Sequence, residues 1–130
     1  MQPQLFYHYL SDPTIDIRIV ENTRFEVIQG KRILCIPEEY NKGKAYYENF
    51  LFNSGFYDGV FMHGTLKGSI YGANEINLTS KKNPTFGIES FCNCKGPIIS
   101  GHVHVAGCFE SHMYYPGCPI RWRFGEEEEK

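Results

Sequence analysis

The stretch "RFEVIQGKRILCIP", residues 24 to 37, most narrows what this chain can fold into. Two short runs, Phe25 to Ile28 and Lys31 to Ile36, flank Gln29-Gly30, and glycine supplies the positive dihedral that a tight turn demands. The pattern predicts a β-hairpin whose second strand ends at Pro37. "NKGKAYYENFLFNSGF" comes next, and its spacing predicts a helix from about Lys42 to Asn53. Tyr46, Tyr47, Phe50 and Leu51 fall on one face, and Ser54-Gly55 supplies the stop. "YDGVFMHG" then reads as a short buried strand ending in His63 and Gly64. Hairpin, helix and strand in succession predict a mixed α/β domain, α and β elements intermingled.

The 130 residues suit one domain, residues 1–130, and ten Phe, nine Tyr and one Trp are enough aromatics to build its core. "IDIRIV", residues 15 to 20, alternates apolar and polar as a half-buried strand does. Residues 65 to 95, rich in Gly, Asn, Ser and Lys, predict a long loop with one short helix or strand. "PIISGHVHV" predicts a strand running into two histidines. "CFESHMYYPGCPIRWRFG" predicts at least two more short strands around a Pro116-Gly117 turn. The acidic tail, 126–130, is expected to be frayed.

A net charge of -2 with no basic stripe excludes long-range electrostatic attraction to nucleic acid. No run approaches the roughly 20 apolar residues of a membrane helix. "MQPQLFYHYLSDP" has neither the basic start nor the apolar centre of a signal peptide. A cytoplasmic protein without membrane contact is therefore expected, with its five cysteines as reduced thiols.

The chemistry-bearing residues are histidines. In an extended strand, residues two apart point to one face, so His102 and His104 of "GHVHV" aim together. His63 shares their setting, at the end of a short apolar run and next to a glycine. Sheets of α/β proteins build sites beyond their strand ends in this way, and neutral imidazole is the commonest metal ligand near neutral pH. A lone histidine in such a place is more often a core or surface residue; three together point to metal. His8 and His112 lack the context, and His112 is expected at the surface. Cys92, Cys94, Cys108 and Cys118 offer a rival thiolate zinc site, although two of the four are isolated from the paired spacing such sites use. No Walker-type phosphate loop and no nucleophile elbow is present.

Taken in order, "YDGVFMHG", "ISGHVHV" and "YYPGCPIRWRFGEE" resemble the carboxy-terminal blocks of the calcineurin-like metallophosphoesterases, nearest to phage and repair-nuclease-like members. The hairpin also resembles the segment preceding the His-Gly block, so the likeness runs from about Ile15 to Glu129. Three earlier blocks of that superfamily, Asp-x-His, Gly-Asp-x-x-Asp and Gly-Asn-His-Asp/Glu, have no counterpart here, and Cys118 stands where the tail turn usually has Ser. Asp58 falls just before the His-Gly block and is no ligand.

The resemblance implies the carboxy-terminal half of a metallophosphoesterase β-sandwich flanked by helices. It implies that His63 and His102 ligate one metal of a dinuclear centre and His104 the other. The ions would be Mn, Fe, Zn or Ni, dinuclear only when the missing half is supplied. The catalytic residue that protonates the leaving group would lie in that missing half, so none is assigned here. The implied activity is hydrolysis of a phosphoester, a nucleic acid or nucleotide, in a host cytoplasm if the chain is phage-encoded. The partner would be a separately encoded amino-terminal half, or a second copy through self-association. Two rivals stand beside this reading: an inactive half-domain serving as a binding or scaffold subunit, and a small domain stabilised by zinc on the four thiols.

Overall fold

In a computed structural model of the protein, which describes residues 13–39, 42–66, 85–109 and 112–118, Gln29 and Gly30 both take positive φ, 50° and 77°. That is the dihedral pattern of a two-residue hairpin turn. It joins β1 (Arg24–Ile28) to β2 (Lys31–Ile36) in antiparallel register, Ile28 facing Lys31. The predicted hairpin is there, and Pro37 ends it.

The described chain continues through helix α1 (Lys44–Leu51), β3 (Gly59–Met62), β4 (Thr65–Leu66), β5 (Thr85–Phe86) and a 3-10 turn at Ile88–Phe91. It closes with β6 (Ile98–Ser100), β7 (Gly107–Phe109) and β8 (Met113–Tyr115). Six strands form one mixed sheet in the order β1-β2-β3-β6-β8-β7, while β4 and β5 pair separately. Strands β2, β3, β6 and β8 are mutually parallel, with β1 and β7 antiparallel at the two edges. The fold is thus mixed α/β, mostly sheet, with few helices among the described residues.

Register explains the core. Leu34, Val60, Ile98 and Met113 lie side by side across the four parallel strands, and all four are essentially inaccessible to solvent. Each such side chain contributes about 1.5–3 kcal/mol by leaving water. Beneath them, Tyr47 and Leu51 of α1 are buried, as their spacing predicts, and Tyr47 meets Phe86 edge-on at 5.5 Å. Helix α1 carries no side-chain cap and no acidic first turn, so packing rather than end chemistry holds it. It is shorter than predicted, ending at Leu51; Ser54 Oγ donates to the Asn49 carbonyl and Gly55, at φ 80°, turns the chain away.

The opposite face is more open. Cys35, Phe61, Ile99 and Tyr114 form its matching row, with Phe61 47% and Tyr114 38% exposed.

Several expectations change. Residues 15–20 form no strand; the outer edge of β1 is met by a side chain instead, Arg18 donating to the Val27 carbonyl at 2.6 Å and pairing with Asp16 and Glu26. The strand predicted through "GHVHV" stops at Ser100. The sheet order requires it: the chain leaves β6 and must cross over the end of β8 to reach β7, so residues 101–106 cannot stay in the ladder. Two strands form in this region, β7 and β8, and Pro116-Gly117 follows β8; the strand expected beyond that turn lies outside the described residues. Within 65 to 95 the described ends hold β4, β5 and the 3-10 turn, more structure than expected. His112 is half-buried, not exposed, and its carbonyl accepts from the Ile98 N–H. His8, residues 67–84 and the acidic tail lie outside the described residues. No described helix is long and apolar enough to cross a membrane.

Candidate metal-binding crevice at the strand ends

Because β2, β3, β6 and β8 run the same way, their carboxyl ends share one edge of the sheet. Ile36, Met62 and Ser100 are register partners and the last residues of their strands. The residues just past those strand ends therefore gather beyond that edge: Pro37-Glu38 after β2, His63-Gly64 after β3 and Gly101-His102 after β6. Crevices at this end are where α/β sheets place their sites.

Two of the three predicted histidines meet there. The rings of His63 and His102 lie edge to face, centroids 4.8 Å apart. His63 is fixed at its backbone by donating to the Ile36 carbonyl, and its Nδ1 lies 3.7 Å from a Glu38 carboxylate oxygen. Beside it opens a cleft of about 370 Å³ on the open face of the sheet, lined among others by Arg18, Glu26, Cys35 and Phe61. His104 lies two residues further along the crossing loop, where its carbonyl accepts from the Cys118 N–H at 3.0 Å. Alternation survives the loss of the strand: Val103 and Val105 are buried while His102 and His104 are half-exposed. The valines anchor the loop and the imidazoles are left on its other side.

In kind, two imidazoles and a carboxylate suit a divalent cation such as zinc or manganese. In arrangement they fall short of a finished site: among the described residues, no three His, Cys, Asp or Glu side chains are grouped to hold a metal ion. The thiolate alternative fares worse, because its cysteines are split between the two ends of the strands. Cys94 bridges to Tyr57, just before β3, whereas Cys118 bonds to the loop at the far end. None of the five cysteines is in a disulfide, and burial pushes the thiols of Cys35 and Cys94 up.

Asp58 is structural, its carboxylate accepting from the Arg32 N–H at 2.8 Å. Glu38 is not among the site residues that the sequence predicts. Its signal lies in its position: it comes after an apolar strand just as His63 does, but only knowledge that β2 and β3 are parallel places the two together. Ser100 and Tyr115 escape the sequence reading as well. Both are buried, and both hydroxyls bond to Gly64, the residue after His63.

No protein-family model, curated protein or solved structure matches the chain.

Proposed function

We propose that this chain is the imidazole-bearing part of a metal-dependent phosphoester hydrolase of the calcineurin-like kind. The observation that carries the reading is the pairing of His63 and His102 at adjacent parallel strand ends, with Glu38 beside them. It is the arrangement to which the resemblance of the His-Gly and Gly-His-x-His blocks would lead. In this reading the chain corresponds to the carboxy-terminal half of that sandwich, and a second polypeptide brings the missing carboxylate and amide ligands. His63 and His102 would hold one ion and His104 would serve a second, as the resemblance implies. A divalent ion in such a site polarises phosphoryl oxygens and lowers the pKa of bound water. The chain's own part is to present neutral imidazoles, hold them in register and accept the substrate's phosphate into the crevice. Nucleic acid or nucleotide phosphoesters are the proposed substrate class.

The test pairs metal binding with hydrolysis. The purified chain, titrated with Mn²⁺ or Zn²⁺ by calorimetry, is expected to bind an ion weakly, and His63→Ala and His102→Ala each to weaken binding at least about tenfold. Hydrolysis of bis-p-nitrophenyl phosphate with Mn²⁺ is expected only after addition of a polypeptide carrying the three missing blocks. Failure of the wild-type chain to bind any ion, or binding unchanged in both variants, overturns the reading.

The incomplete ligand set among the described residues favours one alternative, an inactive half-domain that binds a partner. Under it, replacing His102 and His104 with Ala leaves folding and partner binding intact and no assembly hydrolyses phosphodiesters.

A further inference from the structure

Ser100 is out of place by composition. In the sheet's register it sits beside Met62, itself beside Ile36, on the buried face, and it has no exposed surface. A hydroxyl in such a row costs free energy unless it is bonded. Its Oγ donates to the Gly64 carbonyl at 2.7 Å and accepts from the Gly64 N–H at 3.1 Å. Tyr115, equally buried at the end of β8, donates to the same carbonyl at 3.1 Å and accepts from the Leu66 N–H at 2.6 Å. One carbonyl, with its two lone pairs, thus takes two buried hydroxyls from two different strands. A third tie joins the same segments, Gly101 N–H donating to the Met62 carbonyl at 3.0 Å. Four of these five bonds fall on Met62 and Gly64, the residues flanking His63, and three of them come from Ser100 and Gly101, immediately before His102.

We infer that Ser100 and Tyr115 are positioning residues, a hydroxyl clamp on Gly64 that holds the His63 ring against that of His102. The clamp deepens the metal-binding reading given above but does not depend on it for its measurement, because the ring pairing exists without an ion. Gly64 leaves the loop no side chain by which to fix itself, so its backbone must be held from outside. Losing either hydroxyl frees the turn after His63 while leaving the apolar row beneath it in place.

The experiment uses the full chain, isotope-labelled, without metal. Nuclear Overhauser contacts between the His63 and His102 ring protons are expected in the wild type. They are expected to disappear or fall severalfold in Ser100→Ala and in Tyr115→Phe, and to return in Ser100→Thr, which restores the hydroxyl. Leu51→Ala, which opens the core under α1, controls for general destabilisation and is expected to keep the contact. Should one clamp variant fail to fold, the other carries the test. Zn²⁺ affinity is expected to drop about 10–100-fold in the clamp variants, as for residues that orient ligands. If the ring contact shows this pattern while the wild type binds no metal, the clamp stands and the hydrolase reading falls. Absence of the contact in the wild type, or its persistence in both Ser100→Ala and Tyr115→Phe, overturns the clamp.

Discussion

Two adjacent glutamates show how little residue type says about role. Glu38 and Glu39 come together after β2, yet Glu38 reaches His63 at the crevice while Glu39 turns under the fold and is only 8% exposed. The buried carboxylate accepts from the Thr23 hydroxyl at 2.7 Å, from the Thr23 N–H at 3.4 Å and from the Tyr46 hydroxyl at 3.0 Å. It ties the chain leading into β1 to helix α1, and it fixes the backbone from which Glu38 projects. Glu39→Ala strands two hydroxyls and is expected to cost about 2–3 kcal/mol in urea denaturation. Glu38→Gln, at a half-open position, is expected to stay within about 0.5 kcal/mol. Equal losses in the two variants would sink this division of roles.

At the scale of elements, α1 is held by its aromatic contacts, and these carry a pH signature. Burial, then the nearby Glu39 charge and Tyr46, push the Tyr47 phenol up to about 12. Tyr57, buried against Phe25 with its hydroxyl on the Leu51 carbonyl, is pushed up as well, chiefly by burial. The folded state thus holds these protons more tightly than the unfolded chain, whose tyrosines titrate near about 10. Their contribution is fully present below pH of about 10 and is lost as pH rises through the folded value. Denaturant midpoints are expected to decline gently above about pH 8.5, where the raised Cys35 and Cys94 thiols begin to contribute, and to fall steeply from about 10 toward 12, in step with phenolate absorbance. Tyr47→Phe is expected to soften that fall; an unchanged profile in this variant would contradict the assignment.

The same elements show what was legible in the sequence and what was not. The hairpin, α1 and β3 were readable because Gln29-Gly30, the Tyr46 to Leu51 spacing and the run before His63 are local signals. "IDIRIV" carries an equally good local pattern but no strand, since Arg18 meets β1 through its guanidinium and the backbone never pairs. "GHVHV" kept its alternation and lost its strand, because the crossing from β6 to β7 is decided by sheet order, which no five-residue pattern encodes. The grouping of His63 with His102 was legible in their shared setting, each after a short apolar run and next to a glycine, while the parallel strands that bring the rings together were not. Glu38, Ser100 and Tyr115 were hidden because their roles depend on which strands lie side by side and in which direction.

Among the described residues the six-stranded sheet has two unequal faces, and that asymmetry can be measured. Ile98 and Ile99 are neighbours in β6, yet Ile98 has no exposed surface while Ile99 lies in the open row with Phe61 and Tyr114. Ile98→Ala removes methylenes from the centre of the closed face, where Val60 and Met113 flank it. It is expected to cost about 2–5 kcal/mol, as truncations in close-packed cores do. Phe61→Thr, one strand away on the other face, puts a strand-favouring β-branched residue into β3 and gives up a ring already half in water. It is expected to cost less than about 1 kcal/mol, and to reduce the binding of a hydrophobic dye such as bis-ANS, because an exposed apolar row is what such dyes report. Comparable losses at both positions would mean that the second face is as closely packed as the first, and the molecule would then have two cores, not one.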